Sequence, residues 1–267
     1  MYKISENLYL DHLLRKIAIL IMHRYQLRIE YVGTKYLGWQ IQKKGKTVQK
    51  TIQIVLKKIF NKKIQLFGSG RTDTGVHAIE QSAHFDLDKK ISDLNKFLET
   101  INFFLKNKDI SILKINKKNN KFHARFSAKE RIYRYVIFNR SSGLSLNNLR
   151  GWHIKKKLDI KLMRIGGKML LGTKDFATFR ASNCGAKSSI KTLKSVKIQV
   201  KGEKIEIQFK SKSFLKQQVR SMVGCLKYLG EKKWSLEKFK IVMNSRKRSF
   251  CAPPAPPHGL YLEKVIY

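Results

Sequence analysis

The segment Gly68-Ser-Gly-Arg-Thr-Asp-Thr-Gly-Val-His77 holds three glycines within eight positions, a composition suited to tight turns and close backbone approach. Asp73 lies two residues from Arg71, so the loop presents a carboxylate and a guanidinium together. A carboxylate kept ionised by a neighbouring cation can act as a nucleophile and split one difficult step into two. An Arg–Asp pair that merely closes a turn satisfies the same spacing, and the residues alone leave both readings open. The loop lacks the phosphate-cradling pattern G-x-x-x-x-G-K-[ST]. The seven histidines form no H-E-x-x-H or paired ligand spacing, so no metal site is expected. Cys184, Cys225 and Cys251 are odd in number, far apart and without a C-x-x-C pair. That pattern argues against a disulfide framework and fits a reducing cytoplasm.

Around this loop the chain is strongly basic. Its 267 residues include 57 Lys+Arg against 18 Asp+Glu, a formal charge of +39. With 42% hydrophobic and 10% aromatic residues there is ample apolar material for cores, which excludes general disorder. Such a charge points to an anionic partner, nucleic acid or an acidic membrane surface, unless the lysines simply cover a solvated exterior. No apolar run approaches the ~18–20 residues of a membrane span. The run Ile17–Met22 follows Arg15 and Lys16 but has six residues, short of a signal-peptide core of about 7–15. His23 and Arg24 stand where small cleavage-site residues would be. Residues 1–23 therefore read as an N-terminal extension, or as a start placed ahead of a true Met22, with the ordered fold beginning near Arg24.

The elements that must position the loop follow from periodicity. Tyr25–Tyr31 alternates like a half-buried strand, and Thr47 is placed to cap a helix with the stripe Val48, Ile52, Val55, Leu56, Ile59 and Phe60. Short strands are expected at Ile64–Phe67 and Ser82–Phe85, on either side of the Gly68–His77 loop. Ser92 can cap a second helix (Leu94, Phe97, Leu98, Ile101, Leu105), and a strand follows at Ile110–Ile115. The order is β-α-β-β-α-β, the ferredoxin-like arrangement. A second set runs from a strand at Arg131–Phe138 to a helix on Leu162, Ile165, Met169 and Leu170. It continues with a hairpin, Thr192–Val200 and Lys204–Phe209, and a helix on Leu215, Val219, Met222, Leu226 and Leu229. After an extra helix at Ser235–Met243, all four prolines fall in 252–257, read as a stiff linker to a last strand at Leu260–Ile266. The expected fold class is thus α+β, with two ferredoxin-like halves, residues 24–121 and 122–267, flanking a basic central cleft.

Gly70-Arg-Thr-Asp-Thr-Gly-Val-His-Ala78 closely resembles the active-site motif of the tRNA pseudouridine synthase A (TruA) family. Further blocks agree in the family's order. They include Tyr31-Val-Gly-Thr-Lys-Tyr-Leu-Gly-Trp-Gln40, Phe122-His-Ala-Arg-Phe-Ser-Ala128 and Arg131-Ile-Tyr-Arg-Tyr135. Asp175-Phe-Ala-Thr-Phe-Arg180, the stretch from Phe214 to Gly224 and Gly259-Leu-Tyr-Leu262 complete the set. The resemblance runs from about Tyr25 to Tyr267.

This resemblance implies isomerisation of uridine to pseudouridine at positions 38, 39 and 40 of tRNA, without metal or organic cofactor. It implies Asp73 as nucleophile, Arg220 as the cation that pairs with it, Arg71 in base flipping and Tyr133 stacked on the uracil. Phe122, His123, Ala124, Arg125 and Phe126 would form one RNA-binding segment. Asn183, Cys184, Gly185, Ala186 and Lys187 would form a second. The implied partners are tRNA and a second copy of the chain, with no membrane, in the cytoplasm. A silent RNA-binding protein and a basic protein of DNA or membrane surfaces are the competing classes.

Overall fold

The computed structural model describes residues 22–267, so residues 1–21 and the expectations that fall on them lie outside the described residues. The first half runs β1 (His23–Tyr31), α1 (Val48–Phe60), β2 (Phe67–Gly68), β3 (His77–Leu87), α2 (Leu94–Leu105) and β4 (Ile110–Lys118). The second runs β5 (Glu130–Asn139), β6 (Trp152–Ile154), α3 (Ile160–Met169), β7 (Gly172–Asp175), β8 (Ile190–Lys201), β9 (Lys204–Ser211), α4 (Gln218–Gly230), α5 (Leu236–Asn244) and β10 (Leu260–Ile266). Alternating apolar residues make the strands. In β5, Tyr133, Tyr135 and Ile137 face the core while Arg134 on the other face pairs with Glu263 and Glu206.

All ten strands share one mixed sheet, in the order β4-β1-β3-β10-β5-β9-β8-β7, with β2 on β3 and β6 on β5. Each half repeats one spatial order, β4-β1-β3-β2 and β10-β5-β9-β8, with β7 added at the far edge. The last strand joins them, running parallel to β3 at His77 and Ala78 and antiparallel to β5. Because β1 occupies the other edge of β3, β2 and β10 must share its remaining edge. The Gly68–His77 loop leaves β2 and re-enters at the start of β3, so it rises where the two halves meet. The apolar core is continuous across that seam, from Leu27 and Phe85 through Tyr135 to Phe209 and Leu226.

Several local expectations need correction. Helix α2 is capped by Asp93, whose carboxylate accepts from the amides of Asn95 and Lys96, rather than by Ser92. Strand β2 is confined to Phe67–Gly68, although Ile64 and Leu66 are buried ahead of it. Leu215 is buried but precedes α4.

The buried face of α3 is Met163, Gly166 and Gly167, with Ile165 turned outward. A Cβ on Gly166 would lie 2.4 Å from Leu229 Cδ1, so the packing selects glycines that a hydrophobic stripe does not register. Nor is the proline segment a free linker: Ala252 and Ala255 are buried against α4. Cys225 and Cys251, both free thiols, are brought to 3.4 Å there.

Two buried histidines on β3 predict a pH dependence of stability. His77 Nδ1 accepts from the Gly33 amide at 3.0 Å, which leaves Nε2 to donate to the carbonyls of Leu149 and His258. His84 Nδ1 accepts from the Ala124 amide. Burial pushes both rings down to about 4 from an ordinary 6.5. The unfolded chain therefore binds more protons between pH 6.5 and 4, and stability falls as pH drops through that window. For His77 the loss reaches about 1 kcal/mol by pH 5.5. Thermal unfolding followed from pH 7.5 to 5 should show a steeper decline for the native chain than for His77→Gln. Parallel pH profiles would contradict this.

Candidate active site

The loop before β3 is held from three sides. Trp39 N donates to Thr72 O at 3.2 Å, Gly75 N to Tyr36 O at 3.3 Å, and the Tyr31 hydroxyl lies 2.8 Å from Thr72 Oγ1. Gly38 makes this contact possible: its φ is +88°, and a Cβ there would sit 2.4 Å from the Thr72 carbonyl oxygen. On the strand side, Ser69 Oγ donates to Gln81 Oε1 at 2.6 Å, and Gln81 Nε2 donates to Gly70 O at 3.0 Å. Val76 N closes the turn on Asp73 O at 3.1 Å. With its flanks fixed, the loop leaves the Asp73 carboxylate facing a cavity of about 1430 Å³. That exceeds the roughly 300–1,000 Å³ of a small-molecule pocket and suits a nucleotide with its flanking backbone.

Arg220 Nη1 lies 3.5 Å from Asp73 Oδ2 across 147 residues of chain. Its Nε is committed, donating to Ala255 O at 2.7 Å, while Ala255 N donates back to Arg220 O at 2.9 Å. The proline segment thus aims the guanidinium. Gly224 lets that segment approach, since a Cβ there would lie 2.1 Å from Pro253 O.

Tyr133 is buried beside the same cavity with its ring edge-on to Phe214, at 5.1 Å and 87°. Burial, with the Asp73 charge adding to it, pushes the phenol up to about 12, while Arg131 pulls the other way. The phenol is therefore protonated at neutral pH, which leaves its hydroxyl able to donate and its ring able to stack. Arg71 also lines the cavity, is exposed, and forms no hydrogen bond or ion pair among the described residues. Its guanidinium is free for a ligand.

The family model described as tRNA pseudouridine synthase matches residues 28–127 and 167–267. The chain belongs to the tRNA pseudouridine synthase family. It is 65% identical over 246 residues to the tRNA pseudouridine synthase A of Pelagibacter ubique, an alignment spanning 92% of this chain and all of that one. The namesake of Rhodopseudomonas palustris is 42% identical, with 92% of this chain and 100% of the relative covered. That of Maricaulis maris is 39% identical, with 92% and 98% covered.

In this pseudouridine synthase the two anticipated RNA segments are only partly turned to the cavity. His123, Arg125 and Phe126 line it, whereas Phe122 and Ala124 are buried behind them and serve packing. Asn183, Cys184, Gly185 and Ala186 line it too, while Lys187 is exposed outside that lining. Phe126 is 75% exposed, with its ring 4.4 Å from that of His123. Motif spacing assigns no role to Trp39, Arg131 or Phe214, which line the same walls, or to Gln81, which braces Ser69 and Gly70 from behind. Their side chains act through partners distant in sequence, a signal that motif spacing does not carry.

A prediction for the synthase follows from Gly224. Gly224→Ala must push Pro253 away and carry Ala255 with it, because the new Cβ would clash with the backbone oxygen of Pro253. The variant should unfold several degrees lower, in line with about 1–3 kcal/mol for overpacking. Its turnover should fall more than the lost stability explains, because Arg220 loses its aim. Melting curves and initial rates, both taken well below the transition, check this.

Proposed function

We propose that this chain isomerises uridine to pseudouridine in the anticodon stem-loop of tRNA, at positions 38, 39 and 40. The reading is carried by one observation, the Asp73–Arg220 pair facing a nucleotide-sized cavity that Tyr133 and Arg71 also line. In the reaction the C1′–N1 bond breaks, uracil turns, and a C1′–C5 bond forms. The hydrogen on C5 leaves and N1 ends protonated, so no atom or electron is supplied from outside.

Asp73 is the proposed nucleophile, at C1′ or C6 or through elimination. A stacked base cannot reach it, so the nucleotide must be flipped out, at a few kcal/mol. The unpaired Arg71 guanidinium is suited to hold the opened site. Tyr133 is suited to stack on the uracil and to relay a proton. His123 and Arg125 are suited to the phosphates. The work is proposed to take place in the cytoplasm, in a homodimer whose two copies share one tRNA, as the family resemblance implies.

The test is incubation with unmodified tRNA followed by mapping of pseudouridine along the chain. Conversion confined to positions 38–40 supports the proposal. Tight binding without conversion would favour a silent RNA-binding protein, and conversion elsewhere would overturn the assigned site. Binding itself should be strongly salt dependent. With six phosphate contacts, affinity should fall about 10³-fold between 50 and 200 mM salt. A flat salt response in filter binding would contradict a phosphate-reading cleft.

A further inference from the structure

Arg131 stands on β5 two residues before Tyr133, so both side chains leave the same face of the sheet. Its guanidinium donates to three main-chain carbonyls. Nη2 reaches Ser69 O at 2.6 Å and Arg125 O at 3.0 Å, and Nη1 reaches Lys212 O at 2.6 Å. These carbonyls belong to three separate stretches of the cavity wall: the base of the Asp73 loop, the 122–128 segment, and the chain leaving β9. No carboxylate pairs with Arg131 among the described residues, and burial lowers its pKa. A half-buried cation held only by neutral carbonyls is a costly way to join loops. What it offers is a rigid planar fork with five donors, which a lysine, donating from one point, cannot reproduce. Its charge also opposes the burial that makes Tyr133 a weak acid.

We propose that Arg131 is a positioning residue for the isomerisation, setting the spacing between the Asp73 loop, the RNA-facing segment and Tyr133. The inference rests on the reading of this cavity as the pseudouridine-forming site. A displacement of 1 Å in such a constellation lowers the rate by about 10²-fold. The effect belongs to the chemical step, because Arg131 spends its donors on the protein rather than on phosphate.

The experiment compares single-turnover conversion at saturating enzyme with tRNA affinity by filter binding. The variants are Arg131→Met, Arg131→Lys, and Arg131→Ala with and without millimolar guanidinium. Arg131→Met should lose about 10²-fold in rate, while its tRNA dissociation constant stays within about threefold of the native value. Arg131→Lys should fall between, and guanidinium should raise the Ala variant's rate while leaving the native enzyme unchanged. A Met variant as fast as native, or a loss that saturating enzyme fully repairs, would overturn the proposal. So would a Lys variant equal to native, since charge alone would then suffice. Should the Met variant fail to fold, the Lys and guanidinium arms still decide. A native enzyme that forms no pseudouridine would instead overturn the underlying reading, before any variant is compared.

Discussion

Asp73→Asn should form no detectable pseudouridine while still binding tRNA. Asparagine keeps the size of the side chain and its place at the turn, where Asp73 O accepts from Val76 N, so the loop's backbone bonds survive. What disappears is the anionic oxygen. Loss of a nucleophile acting within a preorganised unit costs at least about 10⁴-fold in rate. The same change removes one negative charge from a basic cavity, so affinity for a polyanion should hold or rise slightly. Asp73→Glu sharpens the test. It restores the charge but displaces it by about a methylene, and near-attack geometry at that scale costs about 10²-fold. The expected order is native, then Glu, then Asn, with dissociation constants nearly level across the three. An Asn variant retaining more than about 1% of native turnover would remove Asp73 from the nucleophile's role.

Much of the scaffold under this site can be read from the chain, because it depends on local periodicity. The stripe of α1 and the alternation of β1 and β5 place their apolar residues inward as the pattern expects. Thr47 caps α1 as its position suggests, with the hydroxyl accepting from Lys50 N. The misses share a cause. In α3 the packed face is built on Gly166 and Gly167, which have no hydrophobic signal, and it becomes visible only once Leu229 and Val196 are placed against them.

The six residues 252–257 look like a spacer because proline-rich sequence has no periodicity of its own. Their carbonyls nonetheless approach Gly224 and hold Arg220. Arg131 escapes notice for a related reason: its partners are main-chain oxygens 62, 6 and 81 residues away, and any residue type supplies a carbonyl. Motif resemblance singles out Asp73, Arg220, Tyr133 and Arg71, but it says nothing about which groups hold them apart at the working distance.

That distinction gives Arg220 its expected behaviour on mutation. Among the described residues, its guanidinium is the only side-chain partner of the Asp73 carboxylate. Arg220→Met keeps the length and the apolar stem on α4 but leaves the carboxylate without its cation. Without that guanidinium the carboxylate loses the contact that fixes where its oxygens point in the cavity. Removing one such preorganised group costs about 10²–10³-fold in turnover.

Arg220→Lys separates charge from aim. The ammonium can approach Asp73 but cannot also reproduce the in-plane Nε bond to Ala255 O, so its orientation is lost along with part of the rate. Turnover should therefore rank native, Lys, Met, and both variants should bind tRNA close to native strength, because this guanidinium faces Asp73 and Ala255. Initial rates at saturating tRNA with parallel binding curves read the two effects separately. If Arg220→Met instead weakened tRNA binding in proportion to its lost activity, Arg220 would be a phosphate contact, and the cation opposite Asp73 would have to be sought elsewhere in the cavity.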